Sequence, residues 1–301
     1  FEIQDEIATS VAKELAAHLG ARVPSNGHDI EDARAVEAYL RARYEMLKFS
    51  KEGLQQAERH LVNGLDLVGP NTRLLGALGR AYAMHSEIGL DPTGEFTARA
   101  AECAESIFEL DPDSPNGYML LGMVRFHKGE LRAAREPFER SLHTNPTDPD
   151  ALGLLVYVCA RSGQSERAAQ LFDQCLDVDP LTPLNHCMPG FIALMEGRYA
   201  DAVPSYQRFL DMDPQNPFAI WTWVYVVLRN GRVDEASQAV RRLSSEHGSS
   251  LLAQLGASQL HGVGGEPEAA LRAVTDELWA AARNSELLSR ELTHCLALAG
   301  E

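Results

Sequence analysis

The residues of this chain that could bind a metal or take part in acid–base or nucleophilic chemistry are ten histidines, five cysteines and 43 carboxylates. The best-spaced metal-ligand pairs are Glu14 with His18 and Glu139 with His143, each with a carboxylate four residues before an imidazole. A zinc site needs three or four ligands, whereas such single pairs are typical of exposed side chains on one helix. We therefore expect no metal site.

Catalytic motifs are also missing from the sequence. It contains no glycine-rich phosphate loop, no nucleophile elbow and no zinc-protease motif. A converging polar site would have to be built from His127, Asp150 and Arg161, and nothing else in the sequence supports one. The sequence predicts a protein that is not an enzyme and that has no cofactor.

Charge excludes two further classes of partner. The chain carries 27 basic and 43 acidic residues, a net charge of −16, which disfavours binding to nucleic acid or to an anionic membrane. Its most apolar run, from Phe218 to Leu228, is about half the length that crosses a bilayer.

Five cysteines without paired spacing indicate neither a disulfide framework nor a zinc ribbon, which favours a cytoplasmic location.

An internal repeat of 34 residues organises the chain. The shared features are Asp or Asn followed by Pro, a second Pro three residues later, a Gly and an Ala. They stand at Asp111-Pro112, Asn145-Pro146, Asp179-Pro180 and Asp213-Pro214; at Pro115, Pro149, Pro183 and Pro217; at Gly129, Gly163, Gly197 and Gly231; and at Ala134, Ala168, Ala202 and Ala236.

Each of these features has a physical role in a pair of helices. Proline in a first helical turn loses no hydrogen bond, so the second proline of each unit can begin a helix. Glycine allows the positive φ of a tight turn between two helices, and alanine lets the two helices approach closely. Each unit is therefore predicted to be a helical hairpin. Cys159 and Cys175 fall on the two facing helices of one hairpin, and we interpret them as core thiols.

The best-defined unit, LGMVRF followed by GELRAAREPFERSLHTNP, resembles the tetratricopeptide repeat (TPR) at Leu121, Gly122, Ala134, Phe138 and Pro146. The resemblance implies an all-α, right-handed TPR α-solenoid of about seven hairpins over residues 32–301, with a closing or truncated helix from Glu286 to Gly300. One unit carries about nine extra residues near 87–95, which we expect to form a surface loop.

The N-terminal segment is predicted to be a separate element. An apolar stripe at Ile3, Ile7, Val11, Leu15 and Leu19 predicts an amphipathic helix over residues 1–20, and residues 21–31 are typical of a linker. The acidic start at Phe1, without Met, indicates a fragment of a longer polypeptide. This region resembles the junction between a TolB-like domain and TPRs in bacterial signalling proteins, which implies a signalling or regulatory parent protein.

Stacked hairpins curve, and the first helix of each is expected to face the concave groove. Met, aromatic and Arg side chains at these positions are typical of peptide-binding surfaces. We expect a partner peptide or helix bearing some negative charge to bind there, oriented by Arg161 and Arg229. The candidate partner-binding residues are Met119, Met123, Phe126, Tyr157, Arg161, Phe191, Met195, Phe218, Trp221, Tyr225 and Arg229.

Two alternatives remain open at this stage. The same side chains could pack between repeats, or the groove could be filled in cis by the N-terminal helix or be used in a homodimer. If the groove is filled in cis or used in a homodimer, the chain would be an oligomerisation or regulatory region. The larger protein would then be an enzyme, such as a cyclase or kinase, or a transcriptional regulator.

Overall fold

The computed structural model describes residues 30–88, 90–91, 93–248, 250–283 and 285–300. In these ranges every regular element is a helix. The α-helices are α1 (Ala33–Met46), α2 (Lys51–Val68), α3 (Thr72–Glu87), α4 (Glu95–Leu110), α5 (Pro115–His127), α6 (Leu131–Thr144), α7 (Pro149–Arg161), α8 (Ser165–Val178), α9 (Met188–Met195), α10 (Tyr199–Met212), α11 (Pro217–Arg229), α12 (Val233–His247), α13 (Leu251–Val263), α14 (Pro267–Arg272), α15 (Asp276–Ala282) and α16 (Glu286–Ala299).

The helices pair into seven antiparallel hairpins followed by α16, which confirms the predicted all-α solenoid. Two hairpins depart from the pattern. The fifth begins with a 3₁₀ helix, Pro183–Cys187, and its α9 is short; the seventh divides its second arm into α14 and α15. The predicted helix over residues 1–20 lies outside the described residues, as does all but the end of the predicted linker.

Local chemistry explains where the helices begin and turn. Pro149 and Pro217 occupy the first turns of α7 and α11, and the side chains of Asp148 and Asn216 cap those helices. Gly163 has a φ of 73° in the turn between α7 and α8, a conformation that other residues adopt only with strain. Pro189 has no backbone N–H to donate to the Asn185 carbonyl, so one α-helical hydrogen bond is missing where the 3₁₀ helix meets α9.

Close helix approach explains the glycines inside the hairpins. A Cβ at Gly122 would lie 2.6 Å from the ring of Phe138, so only glycine lets α5 and α6 pack at this distance. The buried apolar side chains form two clusters, one extending from α1 to α9 and the other from the 3₁₀ helix to α16. Packing between hairpins therefore forms the core along the whole solenoid.

The inserted segment lies between α3 and α4, and hydrogen bonds to a buried carboxylate within it, that of Asp91, connect it to both helices. Asp91 is 2% exposed, and its carboxylate accepts hydrogen bonds from the Ser86 and Thr97 hydroxyls, both at 2.9 Å. It also accepts from the backbone N–H groups of Phe96 and Thr97, at 3.1 and 2.9 Å. Burial alone would raise the pKa of Asp91, but these hydrogen bonds lower it. The expected surface loop thus has a buried polar centre.

Candidate functional site

The inner side of the solenoid encloses a cavity of about 240 Å³. Its wall is built from the first helices of successive hairpins, α3, α5, α7, α9 and α11, together with the 3₁₀ helix. Two elements from opposite ends of the chain complete it: the end of α1 with its following loop, and the start of α16. The concave groove is therefore closed at its centre into a pocket.

Seven of the eleven predicted partner-binding residues line this cavity. They are Phe126, Tyr157, Phe191, Met195, Phe218, Trp221 and Tyr225. Tyr157, Phe191 and Tyr225 are each 34 residues apart, so the repeat places them at the same position of consecutive hairpins. The rings of Tyr157 and Phe191 stack with centroids 4.2 Å apart, and Phe126 meets Tyr157 edge-on at 5.3 Å. Trp221 lies between Phe218 and Tyr225, with centroids at 5.6 and 6.1 Å.

Two predicted lining residues are instead part of the core. Met119 is 5% exposed and Met123 is 1% exposed, and both lie in the apolar cluster that extends from α1 to α9. The reason is that α3 and α5, the first helices of adjacent hairpins, pack directly against each other, so residues on their flanks are buried between them. The expectation that Met119 and Met123 face the groove is wrong.

The two arginines expected to orient a partner are occupied by α16. Arg161 forms an ion pair with Glu286, at the start of that helix. Arg229 donates a hydrogen bond to the Tyr225 hydroxyl at 3.1 Å and lies 2.9 Å from His294 Nε2. Neither arginine lines the cavity. Both arginines contact side chains of the same chain and lie outside the cavity lining, so they are not placed to orient a ligand inside it.

The closing helix α16 has two faces. Leu288, Leu292 and Cys295 are buried against the last hairpin, so α16 caps the apolar core. On the other face, Arg290 Nη1 donates a hydrogen bond of 2.9 Å to the Tyr157 hydroxyl across the groove, and Leu287 lines the cavity. The closing helix therefore fills part of the groove in cis, in the manner that the sequence suggested for the N-terminal helix.

The loop after α1 also contributes to the cavity wall. Phe49, in the loop after α1, stacks on Phe218 with ring centroids 5.6 Å apart and an interplanar angle of 17°. Its φ of 46° is a left-handed conformation that phenylalanine rarely adopts. No signal in the sequence indicates this contact, because the repeat is too degenerate before Leu78 to place Phe49 on any surface.

A charged cluster ties α1 and α3 to α7. Asp150 forms ion pairs with Arg43 and with Arg80, the latter at 3.0 Å. Burial alone would raise the pKa of Asp150, but the two arginines lower it. Asp148 has a raised pKa because it is buried and lies beside the charge of Asp150. Two arginines of the cavity wall therefore share the carboxylate of Asp150, which links the first two hairpins to the fourth.

Other chemistry is sparse in the part of the chain that the structure describes. No group of three His, Cys, Asp or Glu side chains there could hold a metal ion. All five cysteines are described, buried and unpaired, Cys159 and Cys175 among them. None of the described helices is both long enough and apolar enough to cross a membrane.

These features define an α-solenoid of stacked helical hairpins with a central pocket. Profiles of the tetratricopeptide repeat match residues 94–149, 129–184, 155–217 and 193–258, which together cover more than half of the chain. The chain belongs to the tetratricopeptide repeat family. Proteins built from these repeats are generally non-catalytic, and the fold supports a role as a protein-interaction scaffold.

Solved structures extend the similarity to the whole fold. A tetratricopeptide repeat protein from Parabacteroides merdae aligns over 88% of this chain and all of its own, with a TM-score of 0.56 and 15% identity. Yeast Tom70 aligns over 99% of this chain and 74% of its own, with a TM-score of 0.50 and 13% identity. PilW, a type IV pilus biogenesis factor, aligns over 71% of this chain and 98% of its own, with a TM-score of 0.50 and 18% identity. At these identities the likeness concerns the fold alone. No curated protein matches the sequence significantly.

Proposed function

We propose that this chain is a non-catalytic interaction scaffold that binds an apolar segment of a partner protein in its central cavity. The observation that carries the proposal is the convergence of aromatic and methionine side chains from four successive hairpins, α5 to α11, on one cavity. Aromatic residues dominate the energy of protein interfaces, and pockets that bury them are the usual hot spots. The resemblance of residues 1–60 to a signalling-protein junction supports a bacterial signalling or regulatory role in the cytoplasm.

The closed groove limits the shape of the partner. An α-helix with its side chains is about 10–12 Å wide. The contacts of Phe49 with Phe218 and of Arg290 with Tyr157 cross the space that a helix lying along the groove would need. A cavity of about 240 Å³ has room for one or two large side chains. We therefore favour a short extended segment over a helix.

Gly153 provides a way to block the cavity without damaging the core. It lines the cavity on α7, and a Cβ there would meet only Met188 Cε, at 2.9 Å, the flexible end of a side chain. Gly153→Leu adds a side chain into the open space and removes a glycine from a helix interior. Truncation of Trp221 is a poorer test, because that side chain is 3% exposed and its loss would leave a hole in the core.

The experiment is a selection of random seven-residue peptides displayed on phage against the full chain. Gly153→Leu serves as the blocked variant and Gly153→Ala as the matched control. We expect apolar peptides that bind the unaltered chain and Gly153→Ala but lose at least tenfold in affinity for Gly153→Leu. Peptides that bind all three proteins equally, or no selected peptides at all, would contradict a binding cavity.

The second candidate function is a closed regulatory region with no ligand in its groove. It is favoured by α16, which occupies part of the groove in cis and uses the arginines expected to orient a partner. On this reading the chain regulates or oligomerises a larger protein. The same selection would return no cavity-dependent peptide, and analytical ultracentrifugation would then show whether the chain is a dimer.

A further inference from the structure

The charges on the cavity wall do not match the negatively charged partner that the arginines suggested. Of the described residues that line the cavity, Arg43, Arg80 and Arg290 are its arginines. The first two contact Asp150, and Arg290 contacts Glu291 at 2.8 Å. Arg43 and Arg80 thus share one carboxylate and Arg290 has another, so an anionic ligand would have to compete with carboxylates already in place.

Carboxylates, by contrast, remain available on the same wall. Glu87 lines the cavity at the end of α3, and its only ion-pair contact within the described residues is His127 Nε2, at 3.4 Å. The side chain of Glu87 is 26% exposed, so it is open to further contacts. Asp179 also lines the cavity and accepts a hydrogen bond from the Thr182 backbone N–H at 3.1 Å, with no arginine or lysine beside it in the described part of the chain. The surplus charge on the wall is negative.

The position of Glu87 connects this charge to the aromatic wall. His127 meets the ring of Phe126 edge-on, with centroids 5.3 Å apart, and Phe126 meets Tyr157 at the same distance. Because Glu87 Oε1 lies 3.4 Å from His127 Nε2, this carboxylate lies next to the Phe126 end of the aromatic wall. Aromatic faces attract cations, and a carboxylate beside them adds an ionic partner. The whole chain, at a net charge of −16, also favours the approach of a basic segment.

From these observations we propose that the occupant of the cavity is a basic apolar segment: a short extended stretch of a partner protein that carries a lysine or arginine next to a large apolar side chain. The cation contacts Glu87 and the aromatic faces, and the apolar side chain enters the cavity. This inference rests on the proposed function, because it specifies the partner of the same cavity.

The test uses the cavity-dependent peptides from the phage selection, which are those that lose affinity for Gly153→Leu. We expect lysine and arginine to be at least threefold more frequent in them than in the starting library. Replacing the basic residue of a selected peptide by norleucine should weaken binding to the unaltered chain about tenfold, as measured by isothermal titration calorimetry. On Glu87→Gln, the same replacement should change the affinity less than twofold.

Glu136→Gln is the matched control, because Glu136 is an exposed carboxylate on α6 that does not line the cavity. It should retain the tenfold effect of norleucine. Cavity-dependent peptides enriched in acidic residues, or an effect of norleucine that persists on Glu87→Gln, would overturn the basic segment while leaving the binding cavity intact. An absence of cavity-dependent peptides would overturn both.

Discussion

Arg290 and Tyr157 are joined across the groove by a hydrogen bond of 2.9 Å, although they belong to α16 and α7. Beside them, Arg161 and Glu286 form an ion pair whose side chains are 18% and 10% exposed. These two contacts hold the closing helix over the central cavity. They also explain why residues expected to recognise a partner are occupied by the chain itself.

Reversing one charge of the Arg161–Glu286 pair should destabilise the fold. Arg161→Glu places two carboxylates together at a partly buried site, and we expect the free energy of unfolding to fall by about 3 kcal/mol. Urea denaturation followed by circular dichroism measures the loss. The double variant Arg161→Glu with Glu286→Arg should recover most of it, whereas additive losses would show that the two residues do not interact.

Two helical glycines should respond in opposite ways to the same substitution. A Cβ at Gly79 would lie 2.2 Å from Leu120 Cδ2 and 3.0 Å from Cys103 Cβ, so Gly79→Ala should cost about 2 kcal/mol through overpacking. Gly153→Ala needs only a shift of the Met188 methyl group and should stabilise the chain by up to about 1 kcal/mol. Thermal unfolding of both variants tests the pair, and a loss for Gly153→Ala would show that the open space beside it is absent.

His294 should make the fold less stable as the pH falls. Burial, with the nearby charges of Arg229 and Arg290, lowers the pKa of His294 to about 4, from 6.5 in the unfolded chain. Between pH 7 and pH 5 the unfolded chain therefore binds a proton that the folded chain does not, and stability is lost over this window. Since the side chain is partly exposed, we expect a loss on the order of 1 kcal/mol.

Comparison with His294→Gln isolates this contribution. Burial raises the pKa of the neighbouring Glu291 carboxyl, and that shift acts in the opposite direction as the pH falls. The difference in unfolding free energy between the unaltered chain and His294→Gln removes the effect of Glu291. That difference should shrink as the pH falls from 7 to 5, and a constant difference would contradict the lowered pKa.

The cysteines should be unreactive while the chain is folded. Burial raises the pKa of Cys103 and Cys295 to about 11 and that of Cys175 and Cys187 to about 12. The pKa of Cys159 is raised for the same reason. Because the thiolate is the reactive form, an aromatic disulfide reagent should label none of the five within minutes and all five in guanidinium chloride. Rapid labelling of one native thiol would identify a site that opens locally.

Much of the architecture could be predicted from the sequence, because its signals are local. Proline, glycine and alanine at 34-residue spacing determine where helices begin, turn and pack, and the same spacing predicts that Tyr157, Phe191 and Tyr225 share a surface. The position of a residue within the repeat does not predict whether its side chain is exposed. Met123 stands 34 residues before Tyr157, yet it is buried, because its environment depends on how closely α3 packs against α5.

The closure of the groove could not be predicted. Contacts such as Phe49 with Phe218 depend on the small rotation between successive hairpins, which accumulates over several units and leaves no local sequence pattern. The positions of Arg161 and Arg229 on first helices were correct, but their partners come from α16, a helix that the repeat alone predicts only as a cap.

The contacts across the groove also change how the molecule should come apart. In most repeat proteins each unit touches only its neighbours, so the ends can fray while the middle stays folded. Here Asp150 forms an ion pair with Arg43 of the first hairpin, and Phe218 stacks on Phe49. The closing helix α16 is joined to the fourth hairpin by the ion pair of Glu286 with Arg161. Loosening either end would break contacts at the centre. The solenoid is therefore expected to unfold in one cooperative step, without fraying from its ends.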